Sequence, residues 1–403
     1  MNFKKIVLSF FIFLFISSYS FASTFDYIWS SIDSSSITVS SSISNSSTLT
    51  LESTSAILIE QKTGQILYEQ NPHEQLRPAS VTKVMSILLI MEALDRGDIS
   101  LDTMIPCSEH ARSMGGSQIW LDTRETLSVN DMLKAICVVS ANDCTVAMAE
   151  YIAGSEESFV QKMNARAKEL GMNDTNFVNC HGIDEDGHVT SAYDISLMSR
   201  ELLINHPSIT NYTTIYMDTL RDGKSQLVNT NKLLRTYDGC TGLKTGSTSL
   251  ALYNLSASAT RNDLSLIAVV MHAPSPSVRF GDARKLLDYG FANYSSVSFG
   301  NANDVVTTVE INKGVEKTVN GIFETSANVL IKKGMESSVV QNISINENLE
   351  APILKGQKIG TATYTLNDET VATINIVAEK EVKKSTIFNI TKNIYSEWFR
   401  MIR

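Results

Sequence analysis

Three short motifs stand in order along this 403-residue chain: Ser80-Val81-Thr82-Lys83, Ser140-Ala141-Asn142 and Lys244-Thr245-Gly246. Together they specify a serine nucleophile served by two lysines and no histidine, and any fold of the chain has to bring all three to one cleft. Ser and Lys three positions apart on a helix stand one turn apart on the same face, so the Lys83 amine reaches the Ser80 hydroxyl it must deprotonate. Pro78-Ala79 followed by the apolar run Val84 to Met91 reads as loop into buried helix, placing Ser80 at a helix N-terminus where the dipole favours developing negative charge. An amine acts as a base near neutral pH only if its pKa is lowered. Burial does this, and Lys244 is the candidate second cation that adds to it.

Ser140 and Asn142 follow the apolar helix Met132 to Val139, where a short turn points a hydroxyl and an amide into the same cleft. Ser140 is then placed to relay a proton to a leaving amine, and Asn142 to hold a substrate amide. Lys244-Thr245-Gly246 precedes the strand-like run Leu252 to Thr260, expected to be an edge strand that binds a peptide by adding it to the sheet. Gly246 is expected to let the substrate backbone come close. Lys244 and Thr245 offer a positive charge and a hydroxyl to a terminal carboxylate, and the N–H groups of Ser80 and Ser247 form the oxyanion hole. Each motif alone is weak; their order, separation and local context make the set specific.

On these residues the chain resembles the penicillin-recognising serine enzymes, a family whose three motifs match those above. Within it the likeness is to the low-molecular-mass penicillin-binding proteins that act as serine-type D-alanyl-D-alanine carboxypeptidases. Leu76-Arg77-Pro78-Ala79-Ser80, Met114-Gly115-Gly116-Ser117, Ser140-Ala141-Asn142-Asp143, Asn179-Cys180-His181-Gly182 and Thr241-Gly242-Leu243-Lys244-Thr245-Gly246 all look like that family's sequence, over roughly residues 55 to 400. The resemblance implies an acyl-enzyme on Ser80, release of the terminal D-alanine of a peptidoglycan stem peptide, and acylation by β-lactams. It also implies a C-terminal tail that anchors the enzyme to the outer face of the cytoplasmic membrane. Two positions depart from the pattern: Ser247 stands where many relatives have His, and Leu252 where they have Gly. The first is expected to alter rate or antibiotic affinity rather than reaction type, because position 247 contributes mainly its backbone N–H; the second is expected to crowd the strand.

The remaining sequence divides readily. Lys4 and Lys5, the apolar run Ile6 to Ile16 and Ser20-Phe21-Ala22 before Ser23 form the three regions of a signal peptide, residues 1–22, with an apolar run too short to span a bilayer comfortably. Residues 23–54, dominated by Ser and Thr from Ser31 to Thr54, read as a flexible spacer. Within residues 55–294, Ser55 to Glu60 and Gln65 to Glu69 suggest a hairpin around Lys62-Thr63-Gly64, followed by helices and then strands at Leu252 to Thr260 and Leu264 to His272. A sheet assembled from both chain ends around a helical middle is α+β, here a β-lactamase/transpeptidase-like domain. Residues 295–380 read as a small all-β domain without a cluster of catalytic residue types. Residues 383–403 form an amphipathic helix: Ile387, Phe388, Ile390, Ile394, Tyr395, Trp398, Phe399, Met401 and Ile402 fall on one half of the wheel, with Lys392, Arg400 and Arg403 on the other. Such a helix suits an anionic membrane surface.

The formal charge of -9 becomes about -11 once the two lysines of the signal peptide leave, which argues against a nucleic-acid partner. Five scattered cysteines form neither a disulfide framework nor a metal site, and the chemistry of the three motifs needs no cofactor. Asp194 and His181 are candidate supporting residues, Asp194 to orient Lys244 or shape the cleft and His181 near the proton path; Asp194 also suits a helix cap, and His181 a turn. Glu201 superficially resembles the deacylating glutamate of β-lactamases but continues a helical pattern. A β-lactamase and a non-catalytic wall-binding protein on the same fold are the alternatives. The first needs a dedicated water-activating carboxylate, and the second has no use for Ser80, Lys83, Ser140 and Lys244 together.

Overall fold

The computed structural model describes residues 49–386 and Thr391. The expected signal peptide, most of the Ser-rich spacer and, apart from residues 383–386 and Thr391, the amphipathic tail lie outside the described residues.

The first domain is built on five antiparallel strands, β1 (Ser55–Glu60), β2 (Ile66–Gln70), β3 (Cys240–Thr248), β4 (Leu252–Arg261) and β5 (Leu264–Ala273), ordered β2-β1-β5-β4-β3. The hairpin turn forms because the Glu60 carboxylate accepts from the backbone N–H groups of Lys62 and Thr63, with Gly64 at φ +76°. Side chains alternate across the sheet. Ile57, Ile59, Ile267, Val269 and Met271 enter one core cluster, and Ala56, Leu58, Leu266, Ala268 and Val270 enter a second on the other face. Burial on both faces explains why β1 and β5 read as near-continuous apolar runs rather than alternating ones.

The first cluster is completed by helices α1 (Lys83–Asp95), α2 (Val129–Val138), α3 (Asn142–Ala153), α4 (Glu156–Glu169) and α5 (Ala192–Asn205); the second by α6 (Pro276–Asn293). Their boundaries follow local chemistry. The Ser128 and Ser155 hydroxyls cap α2 and α4 by accepting from Asp131 and Ser158 N–H, while Gly154 at φ +83° ends α3.

The second domain holds β6 (Tyr294–Ser298), β7 (Val305–Glu310), β8 (Thr318–Phe323), β9 (Asn328–Lys332), β10 (Val339–Ile345), β11 (Lys358–Leu366) and β12 (Glu369–Ala378). Five of them form a sheet ordered β7-β8-β12-β11-β10, and β6 pairs with β9. Sequence pattern alone misses β6, β10 and β11: β10 is exposed along most of its length, and β11 turns only Ile359, Gly360, Ala362 and Tyr364 inward among threonines. The expected strand Val315 to Val319 lies three residues late, at β8. Backbone pairing runs past residue 380, with Val382 on Ile353 and Ser385 N–H donating to Lys313 O.

Candidate active site

Ser80 lies not in the first turn of α1 but in a single 3₁₀ turn, Ala79–Thr82, that leads directly into it. In 3₁₀ geometry residues i and i+3 eclipse, which stacks Lys83 over Ser80 with Nζ 3.1 Å from Oγ. Lys83 is fully buried, and its other two neighbours are both carbonyl oxygens: Asn142 Oδ1 at 2.6 Å and His181 O at 2.6 Å. A neutral amine has two N–H donors and one lone pair. The two carbonyls take the donors, so the lone pair is left for the Ser80 hydroxyl. Burial, reinforced by the charge of Lys244, holds the Lys83 ammonium well below the ordinary lysine range, which makes that neutral form accessible.

The Ser80 turn is packed from two sides by glycines. A Cβ on Gly182 would overlap Ala79 O, and one on Gly246 would stand 2.8 Å from Pro78 O and 2.9 Å from Ser80 N. Gly246 therefore makes room for the protein's own Ser80 turn, where the sequence suggested room for a substrate backbone. Asn254 adds a tie from β4, its Nδ2 donating to Arg77 O at 2.8 Å.

Ser140 occupies the turn between α2 and α3 at φ +65° and is 3% exposed, its Oγ without a hydrogen-bond partner among the described residues. Two residues on, Asn142 divides its amide: Oδ1 accepts from Lys83, and Nδ2 donates to Gly115 O at 2.7 Å. Asp143 faces the other way and accepts from the N–H groups of Ile119 and Leu121, holding the 115–121 loop against the second motif.

Lys244-Thr245-Gly246 lies within β3, which is itself the edge of the sheet; the expected edge, Leu252 to Thr260, is the interior neighbour β4. Lys244 is 1% exposed, its Nζ donates to Thr245 O at 2.9 Å, and burial pushes its pKa down to about 7. The Thr245 hydroxyl meets Thr230 Oγ1 at 2.6 Å, and Ser247 is exposed. Beneath the strand, Arg279 of α6 donates to Gly246 O at 3.2 Å. Sequence reasoning missed Arg279, since a lone Arg on an amphipathic helix carries no motif.

Residues 41–275 match the peptidase S11 family, described as D-alanyl-D-alanine carboxypeptidase, and residues 294–384 match the C-terminal domain of penicillin-binding protein 5. The chain belongs to the peptidase S11 family of serine peptidases. D-alanyl-D-alanine carboxypeptidase DacF of Bacillus subtilis (strain 168) is 44% identical over 356 residues, covering 87% of this chain and 91% of that protein. Among solved structures, penicillin binding protein 5 from Haemophilus influenzae is 32% identical, with a TM-score of 0.74 over 84% of this chain and 100% of that one. Penicillin-binding protein D2 from Listeria monocytogenes, in its ampicillin-bound form, is 33% identical with a TM-score of 0.56 over 60% of this chain and 99% of that one. The fold of this S11 member is accordingly a penicillin-recognising α+β domain followed by an all-β domain.

Of the two candidate supporting residues, Asp194 takes the helix-terminus part and His181 reaches Lys83 only through its backbone. Asp194 does not orient Lys244: it stands in the first turn of α5, where its Oδ2 accepts from Asp174 N–H at 2.8 Å and Thr175 Oγ1 at 2.6 Å. His181 meets Lys83 through its backbone carbonyl, and burial pushes its ring down to a pKa of about 4, so the ring is neutral near pH 7. Glu201 pairs with Arg166 at 2.5 Å, which removes it as a water-activating carboxylate. Leu252 takes φ +52°, in the left-handed region that favours glycine. All five cysteines are free, four of them buried.

Proposed function

We propose that this chain is a D-Ala-D-Ala carboxypeptidase that removes the terminal D-alanine of peptidoglycan stem peptides through an acyl-enzyme on Ser80 and is acylated by β-lactams. The observation that carries the reading is the Lys83 amine, buried between two carbonyl acceptors with its remaining valence on Ser80 Oγ. Lys83 takes the Ser80 proton as Oγ attacks the penultimate D-alanine carbonyl. The N–H groups of Ser80 and Ser247 stabilise the oxyanion, and Ser140, its hydroxyl unpartnered among the described residues, passes the proton to the departing amine. Lys244, Thr245 and the nearby Arg279 supply the positive end of the cleft for the substrate's free carboxylate. Water then releases the shortened peptide. Mass spectrometry of the chain after penicillin, and then after a D-Ala-D-Ala peptide, tests the reading: a penicillin adduct on Ser80 and free D-alanine are expected, and absence of either would refute it.

The sequence supports an exported protein held on the outer face of the cytoplasmic membrane by the tail, residues 383–403, whose apolar face begins at Ile387. A chain ending at Thr386 is expected to keep its activity on small peptides, while the longer chain alone sediments with anionic vesicles and releases partly at high salt. Equal sedimentation of both would refute the anchor.

A further inference from the structure

We propose that His188 is a positioning residue for the oxyanion hole, acting through the Thr82 hydroxyl on the Ala79–Ser80 peptide; the inference rests on Ser80 being the nucleophile. His188 is buried, and its Nδ1 accepts from Val178 N–H at 2.9 Å and lies 3.4 Å from Asn179 N–H. A ring nitrogen that accepts carries no proton, so in the neutral ring the proton sits on Nε2. There it donates to Thr82 Oγ1 at 2.8 Å. The hydroxyl sends its own proton onward to Ala79 O at 2.8 Å. In a planar trans peptide the carbonyl and the following N–H point in opposite directions. Holding Ala79 O therefore holds the aim of Ser80 N–H, which lies on the side of the turn facing Gly246 and the edge strand β3.

The turn needs such a hold. Ala79 sits at φ +48°, which is costly for a residue with a Cβ, and Gly182 leaves only bare backbone against its carbonyl. A charged ring would set an Nδ1 proton against the Val178 N–H; burial pushes the His188 pKa down to about 4, which keeps the ring neutral. None of the three motifs includes His188, and its place in the relay follows only from the folded chain.

Stopped-flow acylation of the full chain by penicillin separates the acylation rate constant from the preceding dissociation constant. His188→Leu and Thr82→Val are each expected to slow acylation by about tenfold or more, with the dissociation constant held within about twofold. The double variant should be no slower than the slower single one, because both break one relay. Thr82→Ser, which keeps the hydroxyl, should acylate like the unaltered chain. Wild-type acylation in either single variant, additive losses, or an equal loss in Thr82→Ser would overturn the proposal. Should His188→Leu fail to fold, the Thr82 pair decides alone. Failure of the unaltered chain to acylate would instead refute Ser80 as nucleophile.

Discussion

The two domains differ most in what they bury. The first places Lys83, Lys244, Asp143, Asp194, Asp282 and Arg279 out of solvent. In the second, every buried side chain among the described residues is apolar or aromatic. A charge removed from water costs stability unless its partners compensate, so a chain that buries several in one domain and none in the next shows where it does chemistry. The charges of the first domain also differ among themselves. Asp143 is held by backbone donors, and Asp282 by backbone and hydroxyl donors and the Lys285 ammonium, whereas Lys244 has a single backbone carbonyl among the described residues, which suits a group reserved for a ligand.

Removing the reacting groups should break the first domain's function outright. Ser80→Ala is expected to abolish both the penicillin adduct and D-alanine release, read by mass spectrometry, and Lys83→Ala to slow acylation on the order of 1000-fold. A wild-type adduct on the Ser80→Ala variant would overturn the assignment. Lys244→Ala should cost a comparable factor on free-acid peptides but less on amidated ones, since only the acid presents a carboxylate to the lost cation; equal losses would contradict its role. Gly246→Ala places a methyl 2.9 Å from Ser80 N and is expected to lower kcat/KM by about 100-fold while the domain stays folded.

The electrostatic cost is itself measurable. Lys244 titrates at about 7 in the folded chain against an ordinary 10.5. Below pH 7 it is charged in both states and its burial opposes folding in full; as pH rises from 7 towards 10.5 the folded state is already neutral, so the cost shrinks. Melting temperatures should therefore rise for the parent relative to Lys244→Met across that window, and parallel curves would refute a buried, depressed lysine. The smallest effect on activity is expected from the second domain. Tyr364→Ala removes a fully buried ring packed 4.6 Å from Phe299 and should destabilise that domain by about 3 kcal/mol, leaving kcat/KM on a soluble peptide unchanged. A matching loss of activity would show that the domains are not independent in this respect.

Much of this was legible in one dimension. Ser80 and Lys83 are three residues apart, so their meeting follows from helical geometry, and the apolar runs Ser55–Glu60 and Leu264–Ala273 already announce strands buried on both faces. What stayed hidden depends on residues far apart. Gly246 reads as an opening for substrate until β3 is seen lying on the Ser80 turn. Asp194 could point anywhere until α5 sets it beside Thr175.

By itself the sequence singled out Ser80, Lys83 and Lys244 and the α+β order of elements, because these rest on local periodicity and on residue chemistry that survives any packing. Only the tertiary structure decided that Lys83 has two carbonyl partners from segments 59 and 98 residues away, that the third motif is itself the sheet edge, and that Arg279 lies beneath it. Hydrogen bonds and burial couple residues by distance in space, and the chain's pattern carries no record of which distant backbone carbonyl will arrive.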